Sequence, residues 1–160
     1  MSSKGSASGA KTDASKSLRV GVIGAGVMGS NHARVLAGLP GVTLVGIVDP
    51  LPEHRVRATT LVGCRAFAEL DELFNEGVDA ITIAAPTHLH HEIALACIKR
   101  NIHILVEKPV ASTVEEGQEI VTAADRFALR ARAGNGYAEA HLPTASFASR
   151  SSSCFVNPAA

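Results

Sequence analysis

Between Leu18 and about Arg126 the sequence alternates short β-branched runs with longer stretches at helical spacing. A glycine-rich turn joins the first apolar run to the first helical stretch. These two observations predict an α/β fold: a doubly wound parallel sheet in a single domain, with helices as the crossovers between strands. The chain has 160 residues, enough for one domain with a substantial core and hardly enough for two.

The elements follow in order. Leu18–Ile23 is apolar and β-branched, as a buried strand requires, and Val27–Gly38 places Val27, Val35 and Leu36 at helical spacing before a terminal glycine. Val42–Val48 is a second buried strand, and Leu51–Leu61 a helix introduced by the prolines beside it. A brief third strand is expected near Cys64–Phe67, then a short helix over Glu69–Phe74. Asp79–Ala84, Thr87–Arg100 and Ile102–Val106 continue as strand, helix and strand. Ser112-Thr-Val-Glu115 has the form of a capping box and opens a helix reaching about Arg126. Ala128–Ala133 allows a sixth strand, with Gly134-Asn135-Gly136 turning the chain.

The two ends differ in composition. Residues 1–17 are mostly Ser, Ala, Gly and Lys with one Asp, too little apolar surface to offset ordering entropy, and we expect a disordered leader. They carry neither the apolar centre of a secretory signal nor the arginines of a transit peptide. From Phe127 to Ala160 there are nine alanines, five serines and one acidic residue, Glu139, with Pro143 and Pro158 near the end. Residues 18–133 are therefore read as the domain and 134–160 as an atypical tail.

Charge and cysteine content narrow the function classes. Lys plus Arg equals Asp plus Glu, 15 each, so no net field draws the chain to nucleic acid or an anionic membrane. No apolar run approaches the length of a bilayer span. Cys64, Cys97 and Cys154 are too scattered for a disulfide framework or a zinc pattern, which suits reduced thiols and a cytoplasmic location.

The turn Gly24-Ala-Gly26-Val-Met-Gly29 follows a strand and opens a helix. In that context Gly24 permits a tight turn, Gly26 leaves room for a pyrophosphate to approach the backbone, and Gly29 lets helix and strand pack closely. The helix N-terminus adds free N–H groups and a positive dipole end. Asp49 lies 20 residues beyond Gly29 at the end of the second strand, where a carboxylate can accept both hydroxyls of an adenosine ribose. Its negative charge favours NAD over NADP, although Arg55 and Arg57 stand nearby. The alternative is a plain glycine turn beside a solvated acid.

His88, His90, His91 and Glu92 crowd the start of the fourth helix, with His103 on the next strand. The three helix histidines lack the i, i+4 spacing that puts two imidazoles on one helical face, so no metal site is expected. They are read as a polar helix mouth at the carboxyl end of a strand, where open α/β sheets bind ligands. Pro86 and Thr87 are expected to cap that helix, with the Thr87 hydroxyl on backbone or ribose. Glu107-Lys108-Pro109 ends the fifth strand on the same crevice, where a lysine can exchange a proton with a carbinol oxygen or simply be a surface residue in a turn.

The stretch from Arg19 to about Asp125 resembles the N-terminal domain of the glucose–fructose oxidoreductase / inositol dehydrogenase (Gfo/Idh/MocA) family. The resemblance is carried by Val22 to Gly29 with Asn31-His32-Ala33, by Asp49-Pro50, by Ala84-Ala-Pro-Thr87 with His90, and by Val106-Glu-Lys-Pro109. It implies a Rossmann-type domain in an NAD-dependent oxidoreductase acting on a sugar, cyclitol or nucleotide-sugar hydroxyl. It also implies cofactor contacts at Gly24, Gly26, Val27, Met28, Gly29, Asp49, Ala85, Pro86, Thr87, His90, Glu107, Lys108 and Pro109. Lys108 would be the catalytic residue beside the nicotinamide, often followed by a cis bond to proline. Within the family the wording around Gly26–Arg34 is nearest to UDP-N-acetylglucosamine 3-dehydrogenases.

Family members continue into an α+β domain that supplies substrate contacts, a catalytic histidine and an oligomer interface. Residues 127–160 do not resemble it, and their composition suggests a truncated or frameshifted reading. The expected partners are thus a dinucleotide, a sugar-like molecule if a second domain is supplied, and a second copy through exposed apolar surface. The competing reading is a dinucleotide-binding module without turnover.

Overall fold

A computed structural model describes residues 17–127 and the backbone of 131–133. Residues 1–16 of the expected leader, Cys154, the turn at Gly134–Gly136 and the rest of the tail at 134–160 lie outside the described residues. Ser17, the last residue of the expected leader, is described, and its hydroxyl shares a 2.7 Å hydrogen bond with that of Thr43.

Among the described residues six parallel strands form one sheet: β1 (Leu18–Ile23), β2 (Val42–Val48), β3 (Ala66–Phe67), β4 (Ala80–Ile83), β5 (His103–Val106) and β6 (Ala131–Ala133). Their spatial order is β3-β2-β1-β4-β5-β6. Among the described residues five α-helices lie between them: α1 (Val27–Ala37), α2 (Pro52–Val62), α3 (Leu70–Asn75), α4 (His90–Lys99) and α5 (Val114–Arg126). The order reverses direction between β1 and β4, and doubly wound sheets bind ligands beyond the strand ends at such a point.

Both sheet faces are covered, which is why the strands are nearly continuous apolar runs. Val22 and Ile47 pack with Ala33 of α1 and Ala58 of α2 on one face. Ile23, Val45 and Val48 turn to the other face, joining Leu73 of α3, Ile93 and Ile98 of α4 and Ile120 of α5. Adjacent residues such as Val22 and Ile23, or Ile47 and Val48, thus serve opposite layers, as the two-residue strand period demands, while Val45 departs from the period at the register shift opposite Val20 and Gly21.

Several boundaries differ from those expected. The predicted Thr87–Arg100 helix is a 3-10 turn, Thr87–Leu89, followed by α4. Neither start has a side-chain cap, so Thr87 does not cap the helix as its residue type suggests. The box at Ser112 is displaced by one residue: Thr113 is the N-cap and its hydroxyl accepts from Glu116 N–H, while the Glu116 carboxylate accepts from Ser112 N–H. A reciprocal box also opens α3, where Glu69 is the N-cap and Glu72 accepts from its N–H. Glu69 is an acid where Ser or Thr is usual, so the expected pattern passes over it. The third strand is only Ala66–Phe67; the sixth is described over Ala131–Ala133, and residues 128–130 of the expected strand lie outside the described residues.

Candidate functional site

The turn after β1 brings backbone donors to the switch point. Gly24 has φ +93°, and a Cβ there would stand 2.5 Å from the Ala84 carbonyl oxygen. Only glycine meets both conditions without strain. A Cβ on Gly29 would lie 1.7 Å from the Gly24 carbonyl oxygen, so the missing side chain lets α1 start directly over β1. Gly26 is different: nothing lies within 4 Å of its Cβ position. Beside that open space begins α1, whose first N–H groups have no partner within the helix. The exposed side chains of Val27 and Met28 flank the opening. Open space against unpaired amides at a helix N-terminus suits a pyrophosphate.

Asp49 is 6% exposed and more deeply engaged than a strand-end acid in solvent. Its Oδ2 accepts from Ala25 N–H at 2.7 Å, its Oδ1 accepts from Leu51 N–H at 2.9 Å, and His54 Nδ1 lies 3.1 Å from Oδ2. Burial pushes its carboxyl pKa up, but the bonds from Ala25, Leu51 and His54 outweigh that and hold it below its ordinary value. Arg55 and Arg57 also face inward to the turn. Arg55 donates to the carbonyls of Asp49 and Pro50, and Arg57 donates to that of Ala25, which the Ser30 hydroxyl also reaches. The sequence shows these arginines only as nearby charge; the structure makes them braces of the loops around Asp49.

The opposite wall comes from the ends of β4 and β5. Ala84 and Ala85 are half-buried, Pro86 exposed and Thr87 half-buried, next to the glycine turn through the Gly24–Ala84 approach. Lys108 and Pro109 are exposed after β5, and their peptide bond is cis. The Glu107 carboxylate is held on both oxygens, with His32 Nε2 at 2.5 Å from Oε1 and Lys108 N–H donating to Oε2 at 3.2 Å. His32 belongs to α1, so this pair ties the helix that starts at the glycine turn to the loop that carries Lys108. Its motif is visible in the sequence, but its role as a tether is not.

His90 does not line a polar mouth. It is 1% exposed, with Nε2 2.7 Å from the Ala85 carbonyl oxygen and Nδ1 3.0 Å from that of Pro109. The ring therefore fills the space behind the crevice and links its two loops instead of presenting a nitrogen to a ligand. The other helix histidines diverge: His88 is exposed, and His91 pairs with Glu119 of α5 at 2.8 Å. Among the described residues no group of three or more His, Cys, Asp or Glu is placed to hold a metal ion. Nor is any described helix long and apolar enough to cross a membrane.

Strand order, the glycine turn and the acid after β2 define a dinucleotide-binding Rossmann-type domain. Residues 18–134 match the model of the oxidoreductase family with an NAD-binding Rossmann fold, GFO_IDH_MocA, and the chain belongs to that family. Inositol 2-dehydrogenase 1 of Mycolicibacterium vanbaalenii is 36% identical over 107 residues, 65% of this chain and 31% of that protein. The solved UDP-N-acetylglucosamine 3-dehydrogenase of Acidithiobacillus ferrooxidans matches with a TM-score of 0.68 at 33% identity, covering 73% of this chain and 38% of the other. GenD2 from gentamicin A biosynthesis, solved in complex with NAD, matches with a TM-score of 0.71 at 31% identity, covering 74% and 34%. The chain spans about a third of the length of the curated relatives it matches.

Proposed function

We propose that this chain forms the cofactor-binding wall of an NAD-dependent oxidoreductase acting on a hydroxyl of a sugar, cyclitol or nucleotide sugar. The observation that carries the reading is the opening at Gly26, where empty space meets the N-terminus of α1 within a few residues of the acid after β2. The α1 amides around Val27 and Met28 hold the pyrophosphate, and Asp49 takes the adenosine ribose, favouring NAD over NADP. Ala85, Pro86 and Thr87 line the path toward the nicotinamide. A bound nicotinamide supplies the hydride acceptor. Lys108 takes the proton of the substrate hydroxyl, and Glu107, fastened to His32, fixes the loop from which it reaches.

The relatives' names support this substrate class: one is an inositol dehydrogenase and another a UDP-N-acetylglucosamine dehydrogenase. A second reading is a dinucleotide-binding module without turnover, since the features that carry the proposal, the opening at Gly26 and the engaged Asp49, are those of a cofactor cradle. Two assays on the purified chain separate the readings. Nicotinamide fluorescence is followed during titration with NADH, and NADH production is followed with NAD and a panel of polyols and nucleotide sugars. Turnover that disappears in Lys108→Ala supports the enzyme; binding with no turnover supports the module. Absence of NADH binding contradicts both.

A further inference from the structure

We propose that His54 gates the adenosine end of the site, competing with the ribose for Asp49 and so setting the balance between NAD-type and NADP-type dinucleotides. The inference rests on the assignment of Asp49 to the adenosine ribose. It begins with a count of acceptor positions. A carboxylate offers about four lone-pair sites on its two oxygens. Three are already engaged, by Ala25 N–H, Leu51 N–H and the His54 ring. A ribose diol brings two donors, one more than the carboxylate has left.

The three occupants are not equally removable. Ala25 N–H belongs to the glycine turn, and the Ala25 carbonyl is itself held by Ser30 and Arg57, so that donor cannot leave without dismantling the turn. Leu51 N–H is two residues from Asp49, at the N-cap of α2. His54 is a side chain in the first turn of α2, is 31% exposed, and makes the longest of the three contacts at 3.1 Å. Rotation of His54 outward frees Oδ2 for the second hydroxyl and costs one partly solvated bond. Arg55 and Arg57 remain on backbone carbonyls and need not move.

The competition predicts an unusual direction: removing the His54 side chain tightens NADH. A merely structural side chain would loosen binding when deleted. NADPH responds differently, because its 2′ oxygen is esterified, donates nothing to Asp49, and carries phosphate oxygens that can accept from a His54 N–H.

The test titrates wild type, His54→Ala and His54→Gln with NADH and with NADPH, with thermal melting as the check on folding. His54→Ala is expected to bind NADH about threefold more tightly, the scale of one exposed charge-assisted contact, with no tightening for NADPH. His54→Gln keeps an N–H donor and stays near wild type. Unchanged or weaker NADH binding by a folded His54→Ala protein overturns the inference and leaves the dinucleotide reading standing. No NADH binding by wild type overturns both. If His54→Ala does not fold, ring NMR signals of His54 in wild type decide: a change on saturation with NADH supports the gate, and no change with NADH overturns it.

Discussion

Gly29→Ala and Gly26→Ser should separate the two tasks of the glycine turn, one structural and one for the ligand. At Gly29 the new Cβ would lie 1.7 Å from the Gly24 carbonyl oxygen, whereas real Cβ atoms essentially never come under 3.0 Å. Helix α1 must therefore retreat from β1 by about 1.3 Å, against backbone that has no rotamer to yield. Overpacking of this kind costs roughly 1–3 kcal/mol, and a backbone clash belongs at the upper end; the gain in helix propensity returns about 1 kcal/mol. A net loss of about 2 kcal/mol lowers Tm by roughly 8 °C in a domain of this size, and the displaced α1 amides lose NADH as well. At Gly26 the Cβ meets nothing within 4 Å, and serine is a favoured N-cap, so Gly26→Ser should keep the wild-type Tm. Its side chain fills the space left for the pyrophosphate, so NADH binding should fall at least about tenfold. Thermal melting and NADH fluorescence on the same samples check both. A Gly29→Ala protein with wild-type Tm, or a Gly26→Ser protein with wild-type NADH affinity, would refute the argument.

Three further outcomes follow from the buried groups. The folded pKa of Asp49 is depressed, so its stabilising effect is complete above the unfolded value of 3.8 and is lost as pH falls through the folded value. Acid denaturation of Asp49→Asn should therefore slope less steeply across that range than that of wild type; parallel curves would contradict the bonding at Asp49. Burial pushes the Cys97 thiol up to about 12, so alkylation mapped by mass spectrometry should leave Cys97 unmodified at neutral pH until denaturant is added. Removing the His90 ring leaves a cavity and strands whichever of the Ala85 and Pro109 carbonyls its N–H serves, so His90→Ala should lose about 3 kcal/mol in denaturant unfolding. A loss below about 1 kcal/mol would show that the ring is not the link between the two loops.

The legible parts of the molecule are those that depend on nearby residues. β1 and β2 have the expected bounds because each is a β-branched run interrupted by turn formers within a few residues. The glycine turn is legible for the same reason: strand, turn and helix are contiguous. Helix starts were less so. Thr113-Val-Glu-Glu116 and Ser112-Thr-Val-Glu115 both satisfy the capping pattern, and the one-residue choice lies outside what the pattern contains. A 3-10 turn before α4 likewise carries no periodicity of its own.

The parts of the site that escaped the sequence are contacts across the chain. Asp49 reaches Ala25 across 24 residues, Arg57 reaches Ala25 across 32, and His32 reaches Glu107 across 75. Each residue was visible as a type, but its partner is set by strand order. His90 shows this most clearly: its position in a His-rich stretch suggests a ligand-facing group, while packing of α4 against the sheet buries it between two carbonyls. Gly21 and Gly46 read simply as parts of strand runs, yet a Cβ at either would meet Leu73 or Phe67 at 2.6 or 2.5 Å. They leave room for those side chains on the sheet.

The most direct test of the central claim is the structure of this chain with NADH. The account predicts the pyrophosphate in the opening at Gly26, against the amides of Val27 and Met28, with the adenosine ribose on Asp49 and the nicotinamide directed toward Lys108. A dinucleotide bound elsewhere, or one whose pyrophosphate makes no contact with the start of α1, would contradict it.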